Sequence, residues 1–124
     1  MKETLFSNSV DINTDYLAYT YTDDVEKARA IFAGYLEELP LHLSELRESL
    51  DTHNIYLFRP LIEKLMPLFA SVGLTDVAEK LKELSTKCIT AKDLVLYDIE
   101  IQDLIKRINS STQGIEEIKS RLTA

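Results

Sequence analysis

Residues 54–73 read NIYLFRPLIEKLMPLFASVG, and this stretch decides the fold. Asn54 is a residue type that caps helix N-termini, and Gly73 is the type that ends helices. Between them, large apolar side chains recur at spacings of three and four, as on one buried helix face: Phe58, Ile62, Leu65, Phe69 and Val72. The stretch is therefore predicted to be a helix that is buried along one side.

Two prolines interrupt the polar side of this predicted helix. Pro60 removes the amide that would bond the Tyr56 carbonyl, and Pro67 removes the one that would bond the Glu63 carbonyl. We expect the helix to bend or to lose regular bonding near one of them. Met66 either fills a gap between helices or belongs to a contact surface, and periodicity favours neither interpretation.

A second apolar stripe runs through residues 23–50. Its helix is predicted to begin at Thr22, or at Asp23 with Glu26 three residues later, a capping-box pattern. Pro40 falls inside this helix and is expected to bend it.

Two further helices are predicted downstream. Thr75 is a cap for the first, and Thr90 for the second, whose stripe is interrupted by the polar residues 110–114. No strand-like alternation bounded by turn residues appears, and no linker divides the chain. Short connections make successive helices antiparallel neighbours.

The predicted class is all-α: an antiparallel up-and-down four-helix bundle over residues 12–124. A short cap helix over residues 14–19 precedes the bundle, and residues 1–11 are expected to be a flexible tail. Eight side chains are predicted to be buried together: Phe32, Leu43, Phe58, Ile62, Leu65, Phe69, Leu81 and Ile101.

Charge and composition exclude several classes of protein. The net charge of −7 falls entirely on residues 1–53, which hold 4 basic and 11 acidic side chains. A net-acidic chain without a basic stripe is a poor binder of nucleic acid or anionic lipid. A single cysteine and the lack of an apolar run long enough to span a membrane favour a cytoplasmic domain. No nucleophile–base pair or cofactor motif is present, so neither an enzyme nor a cofactor is expected.

Each of the two histidines, His42 and His53, is either a functional residue or an ordinary surface side chain. Glu38 and His42 lie four residues apart, a spacing at which two side chains can share a metal, but a solvated pair on an acidic helix face is favoured. His53, beside Asp51 in a predicted turn, is expected at the surface. The acidic run over residues 37–51 is interpreted as a solvated face, with a surface for a basic partner as the alternative.

Residues 63–74, EKLMPLFASVGL, resemble the active helix of histidine-containing phosphotransfer (HPt) domains. In that family the helix carries His-x-Leu-Lys-Gly/Pro-Ser and a later Gly, and here Leu65, Pro67 and Gly73 match. The resemblance extends over residues 12–124, through three further groups: Asp15-Tyr16-Leu17 with Thr22-Asp23-Asp24; Phe32, Leu36, Leu39 and Pro40; and Leu50-Asp51 through Asn54.

The chain departs from the family at the reacting position. Glu63 stands where the phospho-accepting His would be, Met66 where the family has Lys, and Leu68 where it has Ser. A carboxylate repels phosphoryl oxygens and is a weak nucleophile, whereas a neutral imidazole can attack an aspartyl phosphate. The resemblance thus implies a degenerate member without a phosphoacceptor.

The implied function is docking in two-component signalling, with a receiver domain or a histidine kinase as partner. The docking face would comprise Arg59, Glu63, Lys64, Met66, Pro67 and Ala70. One alternative is an active phosphotransfer protein that uses His42 or His53. Another is a purely structural helical bundle. The chain itself is expected to be a monomer or a weak homodimer.

Overall fold

A computed structural model describes residues 12–88 and 97–123 of the 124-residue chain. Over these residues there is no strand, and the helices are α1 Thr14–Thr20, α2 Val25–Thr52, α3 Ile55–Ser71, α4 Thr75–Cys88 and α5 Asp98–Thr123. The predicted all-α class is confirmed. The predicted tail over residues 1–11 and the predicted cap Thr90 lie outside the described residues.

Both ends of α3 follow the sequence signals. The Asn54 side chain accepts a hydrogen bond from the Tyr56 amide at 3.0 Å, which satisfies one of the open amides of the first turn. At the other end Gly73 has a φ of +86°, and the amide of Leu74 donates to the Phe69 carbonyl at 2.9 Å. This left-handed backbone conformation after a helix is one that glycine adopts more easily than other residues.

The prolines do not break their helices. α3 is continuous through Pro60 and Pro67, and α2 is continuous through Pro40. All three rings lie on exposed positions, so the lost hydrogen bonds leave carbonyls on the solvent side, where water can reach them. The expected bend stays a prediction.

The start of α2 was predicted too early. Its cap is Asp24, whose side chain accepts from the Lys27 amide at 2.9 Å. Thr22 instead donates its hydroxyl to the Ala18 carbonyl at 2.6 Å, at the end of α1. Because that hydroxyl completes the preceding helix, the next suitable side chain caps α2.

The last helix is continuous where its apolar stripe is interrupted by polar residues. α5 runs unbroken through residues 110–114. The hydroxyls of Ser111 and Thr112 donate to the Ile108 carbonyl, at 2.8 and 2.9 Å, so these polar side chains are satisfied within the helix. Thr75, predicted to precede its helix as a cap, is instead the first residue of α4.

One hydrophobic core joins the helices. α3 packs against α2 and α4, and α5 also packs against α2 and α4. The eight side chains predicted to be buried together all lie in this core: Phe32, Leu43, Phe58, Ile62, Leu65, Phe69, Leu81 and Ile101. Apolar periodicity sufficed here because the apolar stripes of all the helices face the same core.

α1 is fastened over the turn between α3 and α4. The Asn13 amide donates to the Gly73 carbonyl at 2.8 Å, and the Tyr21 hydroxyl donates to the Ser71 carbonyl at 2.6 Å. Burial, with a smaller contribution from Tyr16, raises the pKa of Tyr21 to about 12. The hydroxyl therefore remains a donor at neutral pH.

Two alanine substitutions should have opposite effects on stability. A Cβ atom at Gly73 would lie 2.8 Å from Ile12 Cγ2 and 2.9 Å from Leu17 Cδ1, at a positive φ. Gly73→Ala should lower the free energy of unfolding by about 1–3 kcal/mol, as left-handed backbone strain does. Gly34, inside α2, has nothing within 4 Å of such a Cβ. Gly34→Ala should raise the free energy of unfolding by about 0.5–1 kcal/mol.

Urea unfolding followed by circular dichroism measures both changes. Because the two variants add the same methyl group, their difference isolates backbone conformation and local space. Equal stability of Gly73→Ala and the unmodified protein would contradict the described turn.

Candidate functional site

The middle of α3 presents a solvent-facing strip. Glu63, Lys64 and Pro67 are exposed, whereas Met66 and Ala70 are half-buried. The spacing of 63, 66 and 70 places these residues on one side of the helix, and α3 is continuous across them. Glu63 is thus exposed on this face, as predicted, and its carboxylate makes no ion pair with another described residue.

Arg59 is tied to the scaffold. Its Nη2 donates to the carbonyl of Cys88, the last residue of α4. A guanidinium at a helix C-terminus satisfies an open carbonyl and complements the helix dipole. This tie fixes one end of α3 to α4, so the part of the predicted face most open to a partner begins at Glu63.

Lys64 leans towards α2. Its Nζ lies 3.6 Å from Glu45 Oε1, and both side chains are accessible to solvent. Such a pair contributes about 0–1 kcal/mol, so Lys64 can leave Glu45 to meet a partner at little cost. The pair orients Lys64 away from Glu63 and leaves that carboxylate uncompensated.

Met66, Pro67 and Ala70 form one wall of an open groove of about 350 Å³. The other wall comes from α1 and α4: Tyr16, Thr75, Ala78, Glu79 and Lys82. Met66 also packs against the core. Both interpretations of Met66 therefore apply. Its inner side fills a gap between helices, and its outer side lines the groove.

His42 is not where the sequence placed it. The prediction of a solvated side chain was wrong, because His42 is only 2% exposed. It lies three residues after Leu39 and four before Leu46, both buried, and so shares their face of α2. Its Nδ1 is 3.4 Å from Glu45 Oε1, and its Nε2 is 3.5 Å from Glu38 Oε2.

His53 ends α2 with a left-handed backbone, at a φ of 52°. Its Nε2 lies 3.1 Å from Asp98 Oδ2, so the half-exposed ring joins the α2–α3 turn to the start of α5. The predicted surface position holds, in part, with a partner that sequence spacing could not reveal. Neither histidine lies on the Glu63 face of α3.

The described residues offer little reactive chemistry elsewhere. Cys88 is buried and free, and burial raises the pKa of its thiol, with the nearby Arg59 acting in the opposite direction. In residues 12–88 and 97–123 no cluster of three or more His, Cys, Asp or Glu is arranged to hold a metal. Within the same ranges no helix is both long and apolar enough to cross a membrane.

Comparison with known proteins found no relative of this chain. No family model, curated protein or solved structure matches this chain. The candidate site therefore rests on the geometry of α3 and on the residues of the chain itself.

Proposed function

We propose that this chain is an HPt-like signalling module that docks a receiver or histidine kinase domain and carries no phosphate at the usual site. The observation that carries the proposal is the exposed carboxylate of Glu63 in the middle of α3, ten residues before the Gly73 turn. The resemblance of residues 63–74 to the HPt active helix supplies the functional class.

The architecture we propose is the antiparallel up-and-down four-helix bundle of that family, with α1 as its cap. The packing order supports it, because α2, α3, α4 and α5 each pack against two of the others. The two-residue gap between α2 and α3 and the three-residue gap between α3 and α4 support reversal of the chain at both points.

Loss of phosphate transfer follows from the chemistry of the face. Transfer requires a nucleophile that can accept a phosphoryl group and a cation that offsets its oxygens. Glu63 is anionic, and Met66, one turn further along α3, brings no charge. Lys64 extends towards Glu45 on α2 and not towards Glu63. The face therefore lacks the nucleophile of a phosphoacceptor site and a cation directed at position 63.

Docking can survive this loss because it depends mainly on shape and apolar contact. Met66, Pro67 and Ala70 offer a small apolar ridge beside the groove towards α1 and α4. Glu63 adds a fixed negative charge, about half to two thirds of what a phosphorylated side chain carries. A partner would then contact a surface that always carries the negative charge of Glu63.

Titration against a panel of receiver and kinase domains tests the proposal. We expect amide chemical-shift changes centred on Glu63, Met66 and Ala70. Ala70→Arg should weaken binding by about tenfold or more, because the added charge and bulk would have to be desolvated at the contact.

Ser110→Arg is the matched control, since Ser110 is exposed on α5, which packs against α2 and α4. It adds the same charge and should leave the affinity unchanged. Equal weakening by both variants would place the contact elsewhere. Absence of binding to every domain in the panel would leave the structural bundle as the better account.

A further inference from the structure

A second groove lies between α2 and the first half of α3. This Leu57 groove is lined by Glu45, Glu48, Leu57, Pro60, Leu61 and Lys64. Its volume is about 250 Å³, below the roughly 300 Å³ at which small-molecule pockets begin. The groove therefore suits one or two apolar side chains of a partner protein better than a whole organic ligand.

The α3 wall of the Leu57 groove is apolar and accessible. Leu57 is 40% exposed, Pro60 is exposed, and the buried side chain of Leu61 forms the floor. A single exposed leucine is ordinary at a protein surface, but here three apolar side chains are contiguous around one cavity. The Pro60 ring has no rotamers to lose when a partner covers it. This wall is thus a favourable surface for apolar contact.

The α2 wall of the groove is acidic. Glu45 and Glu48 line it, and the surrounding run over residues 37–51 holds five carboxylates against one cation, Arg47. Lys64 Nζ lies 3.6 Å from Glu45 Oε1. In the described part of the chain Glu48 makes no ion pair. A cation brought by a partner would therefore find Glu48 available.

Charge decides which occupant fits the Leu57 groove. A purely apolar segment would fill the cavity but would desolvate Glu45 and Glu48 without compensation, which is unfavourable. A second copy of this chain, docked symmetrically, would bring the same carboxylates of both copies together, because such an interface repeats one patch. Like charges across an interface repel. A segment that carries lysine or arginine beside its apolar side chains meets both walls.

The length of the groove indicates the form of that segment. From Leu57 to Lys64 the lining spans about 10 Å of α3, at ~1.5 Å per residue. This is two helical turns, the distance between anchor side chains on successive turns of a docked helix. An amphipathic helix can therefore place two apolar side chains in the groove.

We propose that the Leu57 groove binds a basic amphipathic helix of a partner protein. Its apolar side chains would lie against Leu57 and Leu61, and its cations would pair with Glu48 and replace Lys64 at Glu45. The exposed Lys64–Glu45 pair costs little to break. This inference does not rest on the docking face around Glu63, although Lys64 belongs to both surfaces.

Four synthetic peptides test the class of partner. Three share an apolar stripe at helical spacing and differ in their flanking side chains, which are lysine, glutamine or glutamate. The fourth scrambles the lysine peptide and so keeps its charge without its stripe. We expect the lysine peptide to shift the amide signals of Glu48, Leu57 and Leu61 in a saturable titration. The glutamine peptide should bind about threefold more weakly, the glutamate peptide more weakly still, and the scrambled peptide about tenfold more weakly.

Three outcomes of this titration would overturn the proposal. Equal affinity for the lysine and glutamate peptides would contradict a basic partner. Equal affinity for the lysine and scrambled peptides would mean general attraction to the acidic face of α2 without use of the groove. Self-association of the protein that the lysine peptide reverses would assign the groove to a second copy of the chain.

Paired variants localise the site, and circular dichroism reports whether each variant is folded. Leu57→Ser should weaken binding of the lysine peptide by about tenfold, whereas Ile99→Ser, at an 83% exposed side chain on α5, should not. Glu48→Lys should reduce the preference for the lysine over the glutamate peptide, and Glu116→Lys, at an exposed position on α5, should keep it. Undiminished binding to folded Leu57→Ser would overturn the proposal.

The same peptide separates this groove from the docking face. Ala70→Arg, which tests that face, should leave the affinity for the lysine peptide unchanged, and Leu57→Ser should leave the affinity for a receiver or kinase domain unchanged. Loss of peptide binding in Ala70→Arg would contradict a separate groove at Leu57.

Discussion

The Phe69→Ala variant is expected to lose about 3–5 kcal/mol of its free energy of unfolding, the cost of removing a buried phenyl ring and leaving a cavity. Phe69 is fully buried on α3, and its ring meets the Tyr35 ring edge to face at 6.0 Å between centroids. Small domains are stable by about 5–15 kcal/mol in total, so this loss would leave the variant marginal.

Urea unfolding at 25 °C measures this loss, with Tyr56→Ala as the control. Tyr56 lies on the same helix but is 81% exposed, so its truncation should change the free energy of unfolding by no more than about 0.5 kcal/mol. A loss below about 1 kcal/mol in Phe69→Ala would contradict the described core. A similar loss in both variants would mean that the measurement does not report burial of the Phe69 ring.

Replacing Glu63 by histidine is expected to create phosphate transfer at position 63. Position 63 is exposed on a continuous helix, so an imidazole there would face solvent and any docked receiver. Adding Met66→Lys should place an ammonium one turn along the same face. The double variant should be labelled about tenfold to a hundredfold faster than Glu63→His, since a hydrogen bond to a charged group is worth ~1.5–3 kcal/mol.

The label should be acid-labile and base-stable, as phosphohistidine is, and should map to position 63. Glu116→His is the matched control, because it makes the same exchange at an exposed site on α5 and should remain unlabelled. Binding of the receiver to the double variant is measured in the same experiment. A double variant that binds the phosphorylated receiver and still acquires no label would contradict the role proposed for position 63.

The helices and the core were within reach of the sequence because local signals and apolar periodicity determine them. α3 begins after Asn54 and ends before Gly73, as predicted, although its last helical residue is Ser71. The cap of α2 was missed because Thr22 bonds backward to α1. A preference for capping cannot tell which of two adjacent helix ends a side chain will serve.

His42 shows where residue type misleads. Its position along α2 falls on the buried face of the helix. Its polarity and its acidic neighbours nevertheless suggested that it would be exposed to solvent. Periodicity was the better signal. The partner of Arg59 and that of His53 depend on how distant helices pack, and no local pattern in the sequence records either contact.

The most direct test of a degenerate phosphotransfer module uses the unmodified protein. A receiver domain that binds it is phosphorylated with radiolabelled phosphate, mixed with it, and followed by electrophoresis while binding is measured on the same samples. We predict binding without transfer, with the receiver losing its label at the rate it shows alone. Acid-labile, base-stable label on His42 or His53 would contradict the account and establish an active phosphotransfer protein in its place.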